Sequence, residues 1–402
     1  MRRMGQRPLG DSHHSLPAAL GQTWTQECPW HDPCSIRDMP ILPSTFKPPH
    51  CPNPDCVSRT SSTPWRFKKK GFYERTLRPR RIQRYVCQHC RRSFSSQTFA
   101  IDYWLKRGDL LEAVFHRLVS CSGLRQIARE SSVSHTTIRR LAERLGRHCL
   151  LFQENHRPDT APNEPVVLDG FRTFEHSQYW PMDLNLLIGT SHFVYGFNDA
   201  ELRRSGSMRP SQRLKRTVLE KKFGRPDPNA TQKQVEELLR RVIPPYGSVV
   251  LRSDEHPAYP RATTRLSDRT FLHESTSSRA ARTTSSPLFP VNLADMLLRH
   301  SSANHKRETI AFSKRRQGAL YRLAIWTVWR NYIKDRSENR RVGTPAMALG
   351  LTRRRMTVGE VLAKRYFPGG ANISGWLSRC YFGRIGTRAM PGCREHQNSY
   401  AI

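Results

Sequence analysis

The chain has 402 residues, with 67 Lys and Arg against 33 Asp and Glu, a formal charge of +34, and 37% hydrophobic residues. No apolar run approaches the roughly 20 residues of a bilayer span, and no apolar h-region follows the basic N-terminus, which argues against a membrane-spanning or secreted protein. A cation excess this large needs a polyanionic partner to offset self-repulsion, and low apolar content with abundant Pro and Arg points to several ordered modules joined by basic linkers.

Residues 1–45 are Pro-rich and read as irregular or disordered. Ten cysteines in a chain without a signal peptide belong to a reducing compartment, as metal ligands or free thiols rather than disulfides. Cys51-x4-Cys56 and Cys87-x2-Cys90 are two pairs thirty residues apart, each able to wrap two corners of a tetrahedron, and they predict one structural Zn²⁺ in a ribbon over 46–100. His89 is a competing ligand. Between the pairs lie strand-like, basic segments, 71–76 and 81–86, and Phe94 follows at the spacing of an apolar plug under the metal. Cys28 and Cys34 form a weaker candidate pair upstream, while Cys121, Cys149, Cys380 and Cys393 read as plain thiols.

Residues 105–150 read as three helices of a helix-turn-helix domain. Leu110, Val114, Phe115 and Leu118 make one helical stripe. Ala128 is small where two helices cross, Val133 sits in the turn, and Ile138 and Leu141 face inward from the last helix. Ser134 is its natural N-cap. Ser132 stands where such turns often hold Gly. This leaves His135, Thr136, Arg139 and Arg140 on the outward N-terminal part of a recognition helix, where a major-groove reader carries its contacts.

A polar, Pro-rich linker is expected over 151–165. Val166–Asp169 then reads as a buried strand ending in a carboxylate, and Val249–Asp254 as another. Between them come strand candidates 183–188 and 192–197, a basic loop from Arg203 to Arg225, and an amphipathic helix over 232–242. Strand, strand, strand, helix, strand is the order of a ribonuclease H-like core, in which acids on the first and fourth strands lie side by side. Carboxylates at strand ends of so basic a protein suit the divalent cations needed to cut or join phosphodiesters. The helix over 321–334 reads as core packing, and the basic tail 337–402 lacks long periodicity.

The stretch Pro287-Leu-Phe-Pro-Val-Asn-Leu-Ala-Asp-Met-Leu-Leu-Arg-His300, continuing to Lys314, resembles bacterial insertion-sequence transposases of the DDE type, the group with an N-terminal zinc ribbon and helix-turn-helix. Asn292-Leu-Ala-Asp295 resembles their Asn-x-x-acid element, and Ser253-Asp-Glu-His-Pro-Ala-Tyr259 the region of their second acid. The resemblance is strongest over 249–334. It implies a multidomain α+β protein: zinc ribbon, helix-turn-helix, and a ribonuclease H-like catalytic domain over 166–336 with C-terminal helices. It implies two Mg²⁺ or Mn²⁺ ions, with Asp169 serving both, Asp254 one and a helical acid the other. Arg299, Lys306 and Arg307 would grip phosphates of double-stranded DNA, at the element's ends and at the target. A homo-oligomer on DNA, in the cytoplasm at the nucleoid, is the expected setting.

The third acid is Asp295 or Glu308. Asp295 departs from the usual Glu, but its spacing of 41 from Asp254 (295 − 254) is nearer the usual short gap than the 54 of Glu308 (308 − 254). The two acids are 13 residues apart, about 20 Å along one helix and roughly 140° around it, so one continuous helix cannot bring both to one site. Asp295 is the choice. Two competing readings are a DNA-binding regulator with an inactive ribonuclease H-like domain and a nuclease that cuts without joining.

Overall fold

β-Rich segments in the first hundred residues pair as a three-stranded antiparallel sheet, β1 (Phe67–Glu74), β2 (Arg81–Cys87) and β3 (Ser93–Ser95), with β2 central. The computed structural model of the chain describes residues 46–59, 65–277, 279–306, 309–340, 342–371, 373–390, 392 and 395. The expectations for residues 1–45 (Cys28 and Cys34 included), Arg307, Glu308 and Cys393 lie outside the described residues. β2 buries Ile82, Tyr85 and Cys87, whereas β1 is an edge strand exposed along nearly its whole length. Its register shifts between Lys69 and Phe72, and Gly71 takes the positive φ of +67° that this irregularity requires. Tyr85, Phe94 and Phe99 form an apolar cluster with the buried cysteines and with Phe367 from the far end of the chain.

Three helices follow, α1 (Leu111–Leu118), α2 (Leu124–Glu130) and α3 (His135–His156). The turn before α3 carries Ser132 at φ +50°, the conformation Gly adopts at no cost. Ser134 caps α3, its Oγ accepting from Thr137 N at 3.2 Å. Ile127, Ala128, Ile138 and Leu141 are buried as the sequence requires. The expected linker departs from the structure at its start: α3 runs on to His156, about 33 Å in all, and buries Leu150, Leu151, Phe152 and Gln153. Leu150, Leu151 and Phe152 are apolar, and the polar composition begins only at Gln153.

The second sheet contains β4 (Val166–Phe174), β5 (Pro181–Gly189), β6 (Val194–Glu201), β7 (Ser248–Ser253) and β8 (Thr270–Ser275), in the order β6-β5-β4-β7-β8. β4, β5 and β6 are antiparallel neighbours, while β4–β7 and β7–β8 pair in parallel. The expected basic loop 203–225 is instead largely helical: α4 (Pro210–Phe223), with no buried residue. α5 (Ala230–Val242) covers one face through Val235, Leu238, Leu239 and Val242, close enough to β6 that a Cβ on Gly196 would meet Leu238 and Val242 at 3.0 Å. α6 (Ala258–Thr264) links β7 to β8, two elements the sequence reading did not identify. α7 (Phe289–Ser301) packs on β4 and β5. Register places Leu168 and Gly196 on one face and Asp169 and Phe171 on the other, so α5 and α7 cover opposite faces.

α8 (Arg316–Val328) starts earlier than expected and is buried along most of its length. It crosses α3 so closely that a Cβ on Gly146 would lie 2.3 Å from Tyr321 Cβ. The chain then widens into one turn, Trp329–Ile333, closed by Lys334 N donating to Trp329 O at 2.8 Å. That turn presents Asn331 to the edge of β6, where its Oδ1 accepts from Val194 N and its Nδ2 donates to Val194 O, both at 2.9 Å. The tail also departs from the sequence reading. α9 (Pro345–Ala348), α10 (Val358–Leu362) and α11 (Gly375–Tyr381) carry Val358, Val361, Leu362, Trp376 and Leu377 into the same core as α3, α8 and the sheet. Arg316 ties this tail to β6, ion-paired with Asp199 and Glu201 while Trp376 Nε1 donates to Asp199 at 2.6 Å. The architecture is mixed α and β, and among the described residues no helix is long and apolar enough to cross a membrane.

Candidate functional site

The cysteine site grows out of local chain geometry. One tight loop presents Cys51 and Cys56, and the turn from β2 to β3 presents Cys87 and Cys90. Cys51, Cys56 and Cys87 are buried and Cys90 is half-buried; all four sulfurs lie within 4.8 Å of one another. Sγ–Sγ separations of 3.6 Å (Cys51–Cys90) and 3.8 Å (Cys56–Cys87) match the edge of about 3.8 Å for a tetrahedron with Zn–S bonds of about 2.3 Å. The quartet can therefore bind zinc. Phe94 belongs to the apolar cluster packed with these cysteines, where the sequence reading placed a plug.

The carboxylate site depends on the sheet. β4 does not end at Asp169, as the sequence suggested, but continues five residues to Phe174 through pairing with β5 alone. β7 ends at Ser253, where Asp254 turns the chain by accepting from His256 N at 3.0 Å. Leu168 pairs with Ser253 across the parallel β4–β7 ladder. One residue beyond that pair on each strand come Asp169 and Asp254, on neighbouring strands about 4.8 Å apart.

Asp295 lies in the middle of α7, not at its start, over the Asp169 face of β4. Phe171, on that face, packs edge-on against His305, and Arg299 sits 4.4 Å over its ring. Arg299 thus braces the strand from one helical turn beyond Asp295. Lys306 is exposed.

Electrostatics tie these acids together. Burial, then the Asp254 and Asp183 carboxylates, push Asp169 up to about 6, against the Gly170 N–H that donates to it at 2.7 Å. Burial and the Asp169 charge push Asp295 up to about 7, with Arg299 and Arg282 pulling the other way. Asp295 Oδ1 is buried with no hydrogen-bond partner. These crowded carboxyls, with one buried oxygen that no hydrogen bond satisfies, are groups that could hold a cation.

Three residues of this neighbourhood escape the sequence reading, Asp183, Arg172 and Arg282, and Tyr259 enters it only as the end of the Ser253–Tyr259 motif. Asp183, on β5, is buried and ion-paired with Arg172 at 3.1 Å; an acid between Met182 and Leu184 in a strand is the available signal. Tyr259 is buried beside the acids, its phenol held above its ordinary range by burial and then by Asp169, Asp254 and Asp183. Arg282, between β8 and α7, is exposed.

In the helical region, His135, Thr136 and Arg140 are exposed at the start of α3. Arg139 is half-buried and paired with Glu143 at 2.7 Å. Cys121, Cys149 and Cys380 are free thiols.

No protein-family model and no curated protein matches this chain. Among solved structures it is similar to a chain of the "CryoEM structure of simian T-cell lymphotropic virus intasome in complex with PP2A regulatory subunit B56 gamma", at 15% identity over 56% of this chain and 68% of that one, with a TM-score of 0.22. A superposition that loose leaves the function to be argued from the residues.

Proposed function

We propose that this protein is a DNA transposase: a ribonuclease H-like enzyme that binds the ends of a mobile element and cuts and joins strands at a divalent-metal centre held by Asp169, Asp254 and Asp295. The observation that carries this reading is the convergence of these acids. Asp169 on β4 and Asp254 just past the end of the parallel β7 each follow the Leu168–Ser253 pair, and Asp295 faces Asp169 from a helix. The strand order β6-β5-β4-β7-β8, with the first strand between the second and the fourth, supports the fold assignment.

The donor set fits Mg²⁺ or Mn²⁺, which take carboxylate oxygens, and the unpartnered Asp295 Oδ1 is a free ligand atom. Bound cations would supply Lewis acidity and activate water, then a 3′-hydroxyl, for in-line attack. The chain's own residues do the rest. Asp169, on the central strand, is held by the Gly170 N–H, which donates to its Oδ1. Arg299 buttresses the strand beneath it through Phe171. The cysteine quartet fixes a ribbon around one zinc. His135, Thr136, Arg139 and Arg140 read the element's ends from α3, and two or more copies of the chain bring those ends together. Because α3 continues into the core of the catalytic sheet, docking its N-terminus on DNA orients the acids as well.

Nicking of supercoiled plasmid with Mg²⁺ or Mn²⁺, followed by a search for joined product, tests the proposal. The wild type should nick and join, and Asp169→Asn should do neither while still binding DNA. Nicking without joining favours a nuclease. Binding with no metal-dependent nicking by the wild type rejects the enzyme and favours a regulator.

A further inference from the structure

The segment 203–225 holds nine Lys and Arg and one acid, Glu220. Glu220 is turned inward, paired with Arg203 at 2.8 Å and Arg216 at 3.7 Å. The outward side of α4 is left with Arg213, Lys215, Lys221 and Lys222, and among the described residues no carboxylate pairs with any of them. In their midst, one helical turn apart, Leu214 is 68% exposed and Val218 57%. This face carries charges of one sign around two neighbouring exposed aliphatics, rather than the mixed charges of a plain solvated face. Cations around a small apolar strip instead fit a sugar–phosphate backbone, which alternates anionic and apolar groups.

The position of α4 in the fold gives this face its place on a substrate. The helix is anchored on the turn between β4 and β5. Phe223 packs edge-on to Trp180 at 5.6 Å, and Arg204, ahead of the helix, donates to Gln178 at 3.5 Å; Lys215 is exposed at the flank of the outward face, 5.3 Å from the Tyr179 ring. Phe174, at the end of β4, is five residues beyond Asp169, about 17 Å along the strand at about 3.3 Å per residue. One DNA strand advances about 3.4 Å per nucleotide.

We propose that the outward face of α4 grips the DNA backbone about five nucleotides or more away from the phosphodiester that faces Asp169 and Asp254. The inference rests on the transposase reading for the identity of that phosphodiester. A second copy of the chain is a poor occupant, since this face is cationic and each copy carries a formal charge of +34.

The test uses the full chain carrying Asp254→Asn, to prevent cutting, with and without Lys215→Ala, Lys221→Ala and Lys222→Ala together. Duplex affinity is measured over a series of salt concentrations. The slope of log K against log salt should fall by about 2 to 3, at about 0.9 for each phosphate no longer neutralised, and Lys→Arg at the three positions should keep it. Helical circular dichroism confirms the fold, since no α4 residue is buried. A slope equal to that of the parent overturns the proposal, and an equal slope with a changed sedimentation coefficient assigns the face to a second copy. If the parent binds no duplex at all, the transposase reading falls with it, which separates the two failures.

Discussion

At the ribbon, four thiols from two short loops come within 4.8 Å of one another, inside an apolar cluster that Phe367 joins from the far end of the chain. At the sheet, three carboxylates arrive from positions 169, 254 and 295, on a strand, just past the end of another and on a helix, and among the described residues no carboxylate set meets that 4.8 Å limit. The first geometry is closed: tetrahedral edges, four ligands and a covering of aromatic rings, as suits a structural metal. The second is repulsive, with Asp254 raising the proton affinity of Asp169 and Asp169 that of Asp295. Two ions about 3.5–4 Å apart need ligands spread around them rather than drawn to one point. The cost of gathering like charges is tolerated where cations and substrate arrive to neutralise them.

The largest expected effect separates the two sites. Cys87→Ser with Cys90→Ser should lower bound zinc from about one per chain to near zero and unfold the ribbon, because structural zinc contributes on the order of 10 kcal/mol. The core around α3, α8 and the sheet is a separate apolar cluster, so its helical signal should survive. Unchanged zinc content in that variant would remove these cysteines from the metal site.

A second expectation follows from charge crowding. A carboxyl held above its ordinary value binds more protons folded than unfolded, so its contribution to stability falls as pH rises through the gap between the two values. For Asp169, raised to about 6, and Asp295, raised to about 7, that window runs from about pH 4 to pH 7. Metal-free protein should melt several degrees lower at pH 8 than Asp169→Asn/Asp295→Asn, and Mg²⁺ or Mn²⁺ should close the difference in the wild type alone. Equal melting temperatures across pH 5–8 for both proteins would mean that the acids do not crowd one another.

Smaller effects belong to α3, the proposed reading helix. Arg140→Ala should weaken binding to the element's ends by about 1–3 kcal/mol if it reads a base edge. Arg139→Ala should cost less, since Glu143 already holds Arg139 against α3. Competition binding with unrelated duplex checks this, and two variants that bind like wild type would show that the start of α3 is not the reader.

Much of this molecule is legible in the sequence wherever burial writes a period. The Cys pairs, the β4–β5–β6 order, Ser134 and the α3 stripe are local signals, and Leu168 beside Ser253 follows from the strand order. α4 escapes because it buries nothing fully: of its three large aliphatics, Leu214 and Val218 are exposed and Leu219 is only half-buried. β4 reads as ending at Asp169 because Asp-Gly resembles a turn, yet pairing with β5 carries the strand through it. The tail helices have 4, 5 and 7 residues, too short for a period, although Val358, Val361 and Leu362 do repeat at i, i+3 and i+4. Asp183 and Tyr259 join the site only through tertiary packing.

The measurement closest to the central claim is divalent-metal-dependent strand cleavage by a panel of folded variants: Asp254→Asn, Asp295→Ala, Asp295→Glu and Glu308→Gln beside the wild type. One centre built from Asp169, Asp254 and Asp295 requires that Asp254→Asn and Asp295→Ala lose cleavage while still binding DNA. Asp295→Glu should keep part of it because the carboxylate survives on a longer stem, and Glu308→Gln should stay near wild type. Active Asp295→Ala alongside inactive, folded Glu308→Gln would move the third acid down the chain and contradict the assignment.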